Sequence, residues 1–231
     1  MAIRSIQHSE SMETVWDELV YTEARLLISG SAREQAPPFK ELLARWEKVS
    51  LGQRQVWRAE IAAQAAVDAE DEALDALVDE IEGSLYVTVN RDRTDPRYRR
   101  YFKRPRNEVL RQALESELET VRDWPKSLKS EPEAELQALG KQLERRIASG
   151  DATVAERRTA AATRADHRVR DILPFIEAVN GARQALYGAL VTRGQKEGLH
   201  KSWAEGFFRK RPVKRTPEAT PDAPAAAPPT A

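Results

Sequence analysis

The chain has 231 residues, with 37 Lys and Arg against 37 Asp and Glu, no cysteine and 6% aromatic residues. Balanced charge removes a global field that would draw it to nucleic acid or membrane, and the lack of cysteine removes disulfides, thiolate nucleophiles, iron–sulfur clusters and cysteine zinc sites. Mean hydropathy is −0.63, no apolar run approaches the roughly 18 residues that span a bilayer, and residues 1–11 lack a charged-then-apolar signal pattern, so a cytoplasmic protein without membrane insertion is expected.

Alanine, leucine, glutamate and arginine dominate, and no stretch sustains a period of two, so helix is expected between the breakers. A short helix over Met12–Ser29 carries Val15, Trp16, Leu19 and Leu26, and Pro37-Pro38 closes that segment. A long helix follows over residues 38–89. Its stripe runs through Leu42, Trp46, Val49, Gln53, Val56, Glu60, Ala63, Val67, Glu70, Leu74, Leu77 and Ile81, in alternating steps of four and three. Ser50-Leu51-Gly52-Gln53 could start a helix as a capping box, but the stripe keeps its phase through Gly52, so one continuous helix is expected.

Asp95-Pro96 and Pro105 bracket a basic turn region. A second short helix spans Arg106–Trp124 on Val109, Ala113, Leu114, Leu118 and Val121, and Pro125 and Pro132 flank a linker. The second long helix covers about 131–193, on Leu136, Leu139, Leu143, Ile147, Val154, Ala161, Ala165, Val169, Ile172, Ile176, Val179, Leu186 and Leu190. Pro174 inside it should kink rather than end it. From Pro212 the chain holds six prolines in 20 residues with little to bury, and a disordered tail is expected over 212–231.

The order short helix, proline turn, long helix occurs twice. Leu85-Tyr86 followed by Tyr101-Phe102-Lys103-Arg104-Pro105 matches Leu186-Tyr187 followed by Phe207-Phe208-Arg209-Lys210-Arg211-Pro212. Internal duplication accounts for the match. The expected fold is all-α: a single helical-bundle domain over 1–211, with four main helices in pseudo-repeats of about 10–105 and 106–211. A homodimer with long helices paired between chains is the alternative, because a stripe does not name its partner. Gln53, Glu60 and Glu70 on the first stripe, with Arg157 or Arg158 beside the second, are costly if buried alone and fix register if paired across helices.

No phosphate-binding glycine loop is present. The histidines are His8, His167 and His200, and His167 within Ala-Asp-His-Arg reads as solvated or bonded between helices. A di-metal bundle needs two Glu-x-x-His motifs; the chain has one, Glu197-Gly-Leu-His200, so neither metal nor cofactor is expected. Residues 60–82 hold nine carboxylates and no Lys or Arg, which reads as a solvated helix face.

Charge segregation is the most informative local feature. Residues 91–106 hold eight cations against Asp92 and Asp95, interleaved with Tyr98, Tyr101 and Phe102, and Arg209, Lys210, Arg211, Lys214 and Arg215 follow Phe207 and Phe208. One outcome is an anion or nucleic-acid contact through Arg97, Arg99, Arg100, Lys103, Arg104, Arg209, Lys210 and Arg211, with Tyr101, Phe102, Phe207 and Phe208 stacking on bases. The favoured outcome is internal compensation, with those aromatics plugging bundle ends and the arginines of 91–106 paired to residues 60–82, while the basic cluster at 209–215 stays available to a partner. The expected function is therefore a non-enzymatic helical scaffold that binds protein partners as a monomer or homodimer. Binding of nucleic acid or an anionic surface through 91–106 and 209–215 is the alternative.

Overall fold

The computed structural model describes residues 3–200 and 202–210, and every regular element among them is helical. The expected all-α fold is found; the expected tail at 212–231 lies outside the described residues.

Helix α1, Met12–Ile28, starts where the Ser11 hydroxyl accepts the Thr14 N–H at 3.2 Å. A 3₁₀ turn over Arg33–Gln35 leads into α2, Pro37–Thr88, which passes Gly52 unbroken. Asn90 and Arg91 end it with φ of 53° and 66°, and the Arg91 N–H returns to the Tyr86 carbonyl at 2.8 Å, a left-handed helix stop. Helix α3, Pro96–Tyr101, begins with proline and is capped by Asp95, whose carboxylate accepts the Arg97 N–H at 2.7 Å.

The expected helix Arg106–Trp124 is corrected to three pieces: α4 (Arg106–Val109), α5 (Leu114–Val121) and α6 (Trp124–Leu128). Val109 and Leu114 are both buried, and a five-residue step cannot keep both on one helical face. Pro125 sets the second break, since it has no N–H for a preceding turn.

Helix α7 (Ala134–His167) passes through a π-helical turn at Arg168–Ile172 into α8 (Leu173–Glu197), and a short α9 (Ser202–Glu205) follows. The irregularity lies just before Pro174. That proline has no N–H for the carbonyl four residues back, and the Leu173 N–H reaches five residues back, to Arg168. The extra residue of the π turn also shifts the inward stripe. Above it the half-buried positions are Arg157, Ala160 and His167; below it Ile172, Phe175, Ile176 and Val179 are buried. Ala161, Ala165 and Val169, expected on the core stripe, are therefore exposed.

Contacts divide the chain into two compact units, one of residues up to 43 with those from 180 on, the other of residues 44–179. In the first, Arg183 and Glu18 form a buried ion pair at 2.7 Å, and the Asn180 amide holds both backbone polar groups of Ile6. In the second, the core gathers Leu74, Val78, Ile81 and Leu85 of α2 with Leu118, Val121, Leu128, Leu136 and Leu143. Glycines let α5 and α6 lie close on α7: a Cβ at Gly140 would come within 2.9 Å of Leu128 Cβ, and one at Gly150 within 3.0 Å of the Leu118 methyls.

Beyond that core α2 and α7 continue as an antiparallel pair, and no residue of 51–73 or 155–171 is fully buried. Polar contacts set its register. Glu70 accepts from Arg146 and Ser149, both at 2.9 Å; Glu60 pairs with Arg164; the His167 ring lies over Gly52; and Arg45 lies over the Phe175 ring at 5.5 Å.

Candidate anion-binding cleft

Hydrophobic burial decides where the first aromatic cluster goes. Tyr98, Tyr101 and Phe102 are each at most 5% exposed. Tyr101 and Phe102 meet the Trp124 ring edge-on, with centroids 5.8 and 4.9 Å apart. The hydroxyls reach carboxylates: Tyr98 donates to Glu82 at 2.7 Å and Tyr101 to Glu131 at 2.9 Å. Burial first, then the Glu82 carboxylate, pushes the Tyr98 phenol up to about 12; burial and Glu131 push Tyr101 up as well. These rings are packed into the core, with the edges of Tyr98 and Phe102 at the wall of the cleft described next.

The cations of the same segment sort into two groups. Arg93 pairs with Glu82 at 3.0 Å, Arg97 with Glu131 and Glu133 at 2.7 Å each, Arg100 with Glu131 at 3.6 Å, and Arg106 with Asp79. Arg91, Arg99, Lys103 and Arg104 are exposed and enter no ion pair among the described residues. Buried Phe102 and Val109 anchor the backbone on either side, so the intervening Lys103 and Arg104 are turned outward. An open cleft of about 830 Å³ results, lined by Arg93, Arg99, Lys103, Arg104, Arg106 and Asn107 among others and by no carboxylate. Five cations line the cleft, two of them paired with Glu82 and Asp79, on a chain of zero net charge.

The second cluster has a different balance. Phe207 and Phe208 are buried, edge-on to Trp203 and Tyr187 with centroids 5.1 and 6.0 Å apart. Arg25 donates to the Gly206 carbonyl at 3.1 Å, and Arg183 lies over the Phe208 ring at 5.3 Å. Arg209 pairs with Asp17, Lys210 is exposed, and Arg211 lies outside the described residues, as do Lys214 and Arg215. All four candidate stacking aromatics are therefore core residues, and of the candidate cations Arg99, Lys103 and Arg104 line one cleft without an ion pair among the described residues.

The remaining candidates are dispersed. His167 Nδ1 lies 2.7 Å from Asp171, His200 Nδ1 lies 2.7 Å from the Ser202 hydroxyl, and Glu197 accepts from Arg193 at 2.8 Å. Among the described residues no group of His, Asp and Glu is arranged to hold a metal ion, and no helix is long and apolar enough to cross a membrane. Sequence reasoning missed Glu117, which is fully buried beside Asp71 and Asp75. Its signal was present, since Leu114, Glu117, Leu118 and Val121 share one helical face. Compared with known proteins, the chain matches no family model, no curated protein and no solved structure.

Proposed function

We propose that the protein is a non-enzymatic helical interaction protein that holds an anionic macromolecular partner at the cleft between α3 and α4. One observation carries this reading: Arg99, Lys103 and Arg104 are exposed, lack a carboxylate partner among the described residues, and line one cleft whose backbone is anchored in the core. A charge left unpaired on a neutral chain acts only at short range, which suits docking of a preformed acidic surface.

A nucleic-acid partner is the second reading, favoured by the two guanidinium groups, which match phosphate geometry. With the neighbouring rings buried, such contact is to the phosphate backbone and carries little sequence preference. Chromatography on heparin tests the shared chemistry. The native chain should elute at higher salt than the variant Arg99→Glu/Lys103→Glu/Arg104→Glu, whose helicity should be unchanged. Equal elution of the two would overturn the proposal.

A further inference from the structure

The face of α2 turned away from the α7 seam presents Arg54, Arg58, Ile61, Ala65, Asp68 and Glu72, at steps of four, three, four, three and four. At about 100° per residue these six fall within one narrow arc. All six are exposed, Ile61 at 56%, with the half-exposed Trp57 beside them. Glu60, Glu70, Asp79 and Glu82 each pair with an arginine, whereas Arg54, Arg58, Asp68 and Glu72 enter no ion pair among the described residues, Asp68 accepting only from Gln64. Moreover, Arg54 and Arg58 are like charges four apart, as are Asp68 and Glu72, and each such couple destabilises an isolated helix.

We propose that this face is a contact between two copies of the chain, paired antiparallel along α2 about a two-fold axis at the level of Ala63. In that register Arg54 of one copy meets Glu72 of the other, Arg58 meets Asp68, and Ile61 meets Ala65; the two-fold axis repeats every contact. The order of charge, basic then apolar then acidic, is what makes the face self-complementary. A parallel pairing in register sets arginine against arginine and carboxylate against carboxylate. The ion pairs relieve the like-charge couples on each helix, and Ile61 of both copies is covered at the centre. Residues 54–72 extend about 27 Å along the helix axis. The inference does not depend on the anionic-contact reading, since it uses none of the cleft residues.

Sedimentation equilibrium of the full chain tests it. The native protein should show a dimer, twice the 26.1 kDa chain mass. Two variants, Arg54→Glu/Arg58→Glu and Asp68→Lys/Glu72→Lys, should each be monomeric at concentrations where the native chain is dimeric, with helicity unchanged. An equimolar mixture of the two should restore the dimer, because every contact is again between opposite charges. Orientation is read separately from a nitroxide at Gln55→Cys in the chain, which has no native cysteine. Two such labels should lie about 24 Å apart along the axis in the antiparallel pair, against about 10 Å for a parallel one. A native monomer at all concentrations, variants of unchanged mass, a mixture that stays monomeric, or the short label distance would each overturn the proposal.

Discussion

At the scale of single residues, Glu117 has no exposed surface, and burial, followed by the Asp75 and Asp71 carboxylates, pushes its pKa up to about 8 from the ordinary 4.5. Between those two values the folded chain keeps a proton that the unfolded chain has released. The stability this proton brings is complete below 4.5 and is lost as pH rises toward 8, by about 1.4 kcal/mol per pH unit for one proton. The variant Glu117→Gln has no such proton to lose. Thermal unfolding should show the native chain losing stability relative to the variant as pH rises from about 5 to 8; parallel curves would mean that Glu117 is solvated. Leu114, Leu118 and Val121 made its inward position legible in the sequence, but nothing there shows that Asp71 and Asp75 face it across helices. Tyr101 and Phe102 teach the converse. A ring beside an arginine has the same letters whether it stacks on a ligand or, as here, meets Trp124 in the core.

At the scale of elements, two glycines in helices should respond in opposite ways to the same change. Gly188 on α8 has open space where a Cβ would go, so Gly188→Ala should stabilise by about 0.8–1 kcal/mol through helix propensity alone. A Cβ added to Gly140 on α7 would meet Leu128 Cβ at 2.9 Å and the Lys129 backbone nitrogen at 3.1 Å. Neither atom can swing aside, so Gly140→Ala should destabilise and loosen α6 from α7. Chemical denaturation of the two variants compares the signs, and a stabilising Gly140→Ala would remove close helix approach from the account. Long elements were legible because their stripes hold phase over many turns, as α2 does from Leu42 to Ile81. The short helices α4, α5 and α6 were not, because four to eight residues carry too few repeats to separate one broken helix from three. The π turn escaped for another reason: one inserted residue moves the stripe off Ala161, Ala165 and Val169, and only the packing below it reveals the new phase.

At the scale of the whole molecule, each compact unit buries a leucine of a long-helix stripe: Leu77 is 7% exposed in one and Leu186 is 4% exposed in the other. Replacing either with alanine should cost about 2–5 kcal/mol in denaturant unfolding, and a change near zero would show that the stripe is not packed there. The apolar pattern carried the fold class, while the division into units at residues 43 and 180 depends on which stripes meet, and a stripe does not say that. Charge followed the same rule. A balance of 37 against 37 told of internal compensation, yet only geometry separates Arg93, Arg97 and Arg106, which are paired, from Arg99, Lys103 and Arg104, which enter no ion pair among the described residues. The most direct measurement is anisotropy of a labelled duplex oligonucleotide and of a labelled acidic peptide, titrated with native chain and with Arg99→Glu/Lys103→Glu/Arg104→Glu across a salt series. At least one of the two polyanions should bind the native chain, and the triple change should reduce the log–log salt slope by about two to three units. Absence of binding to both at low salt, or slopes that coincide, would contradict the anionic-contact reading.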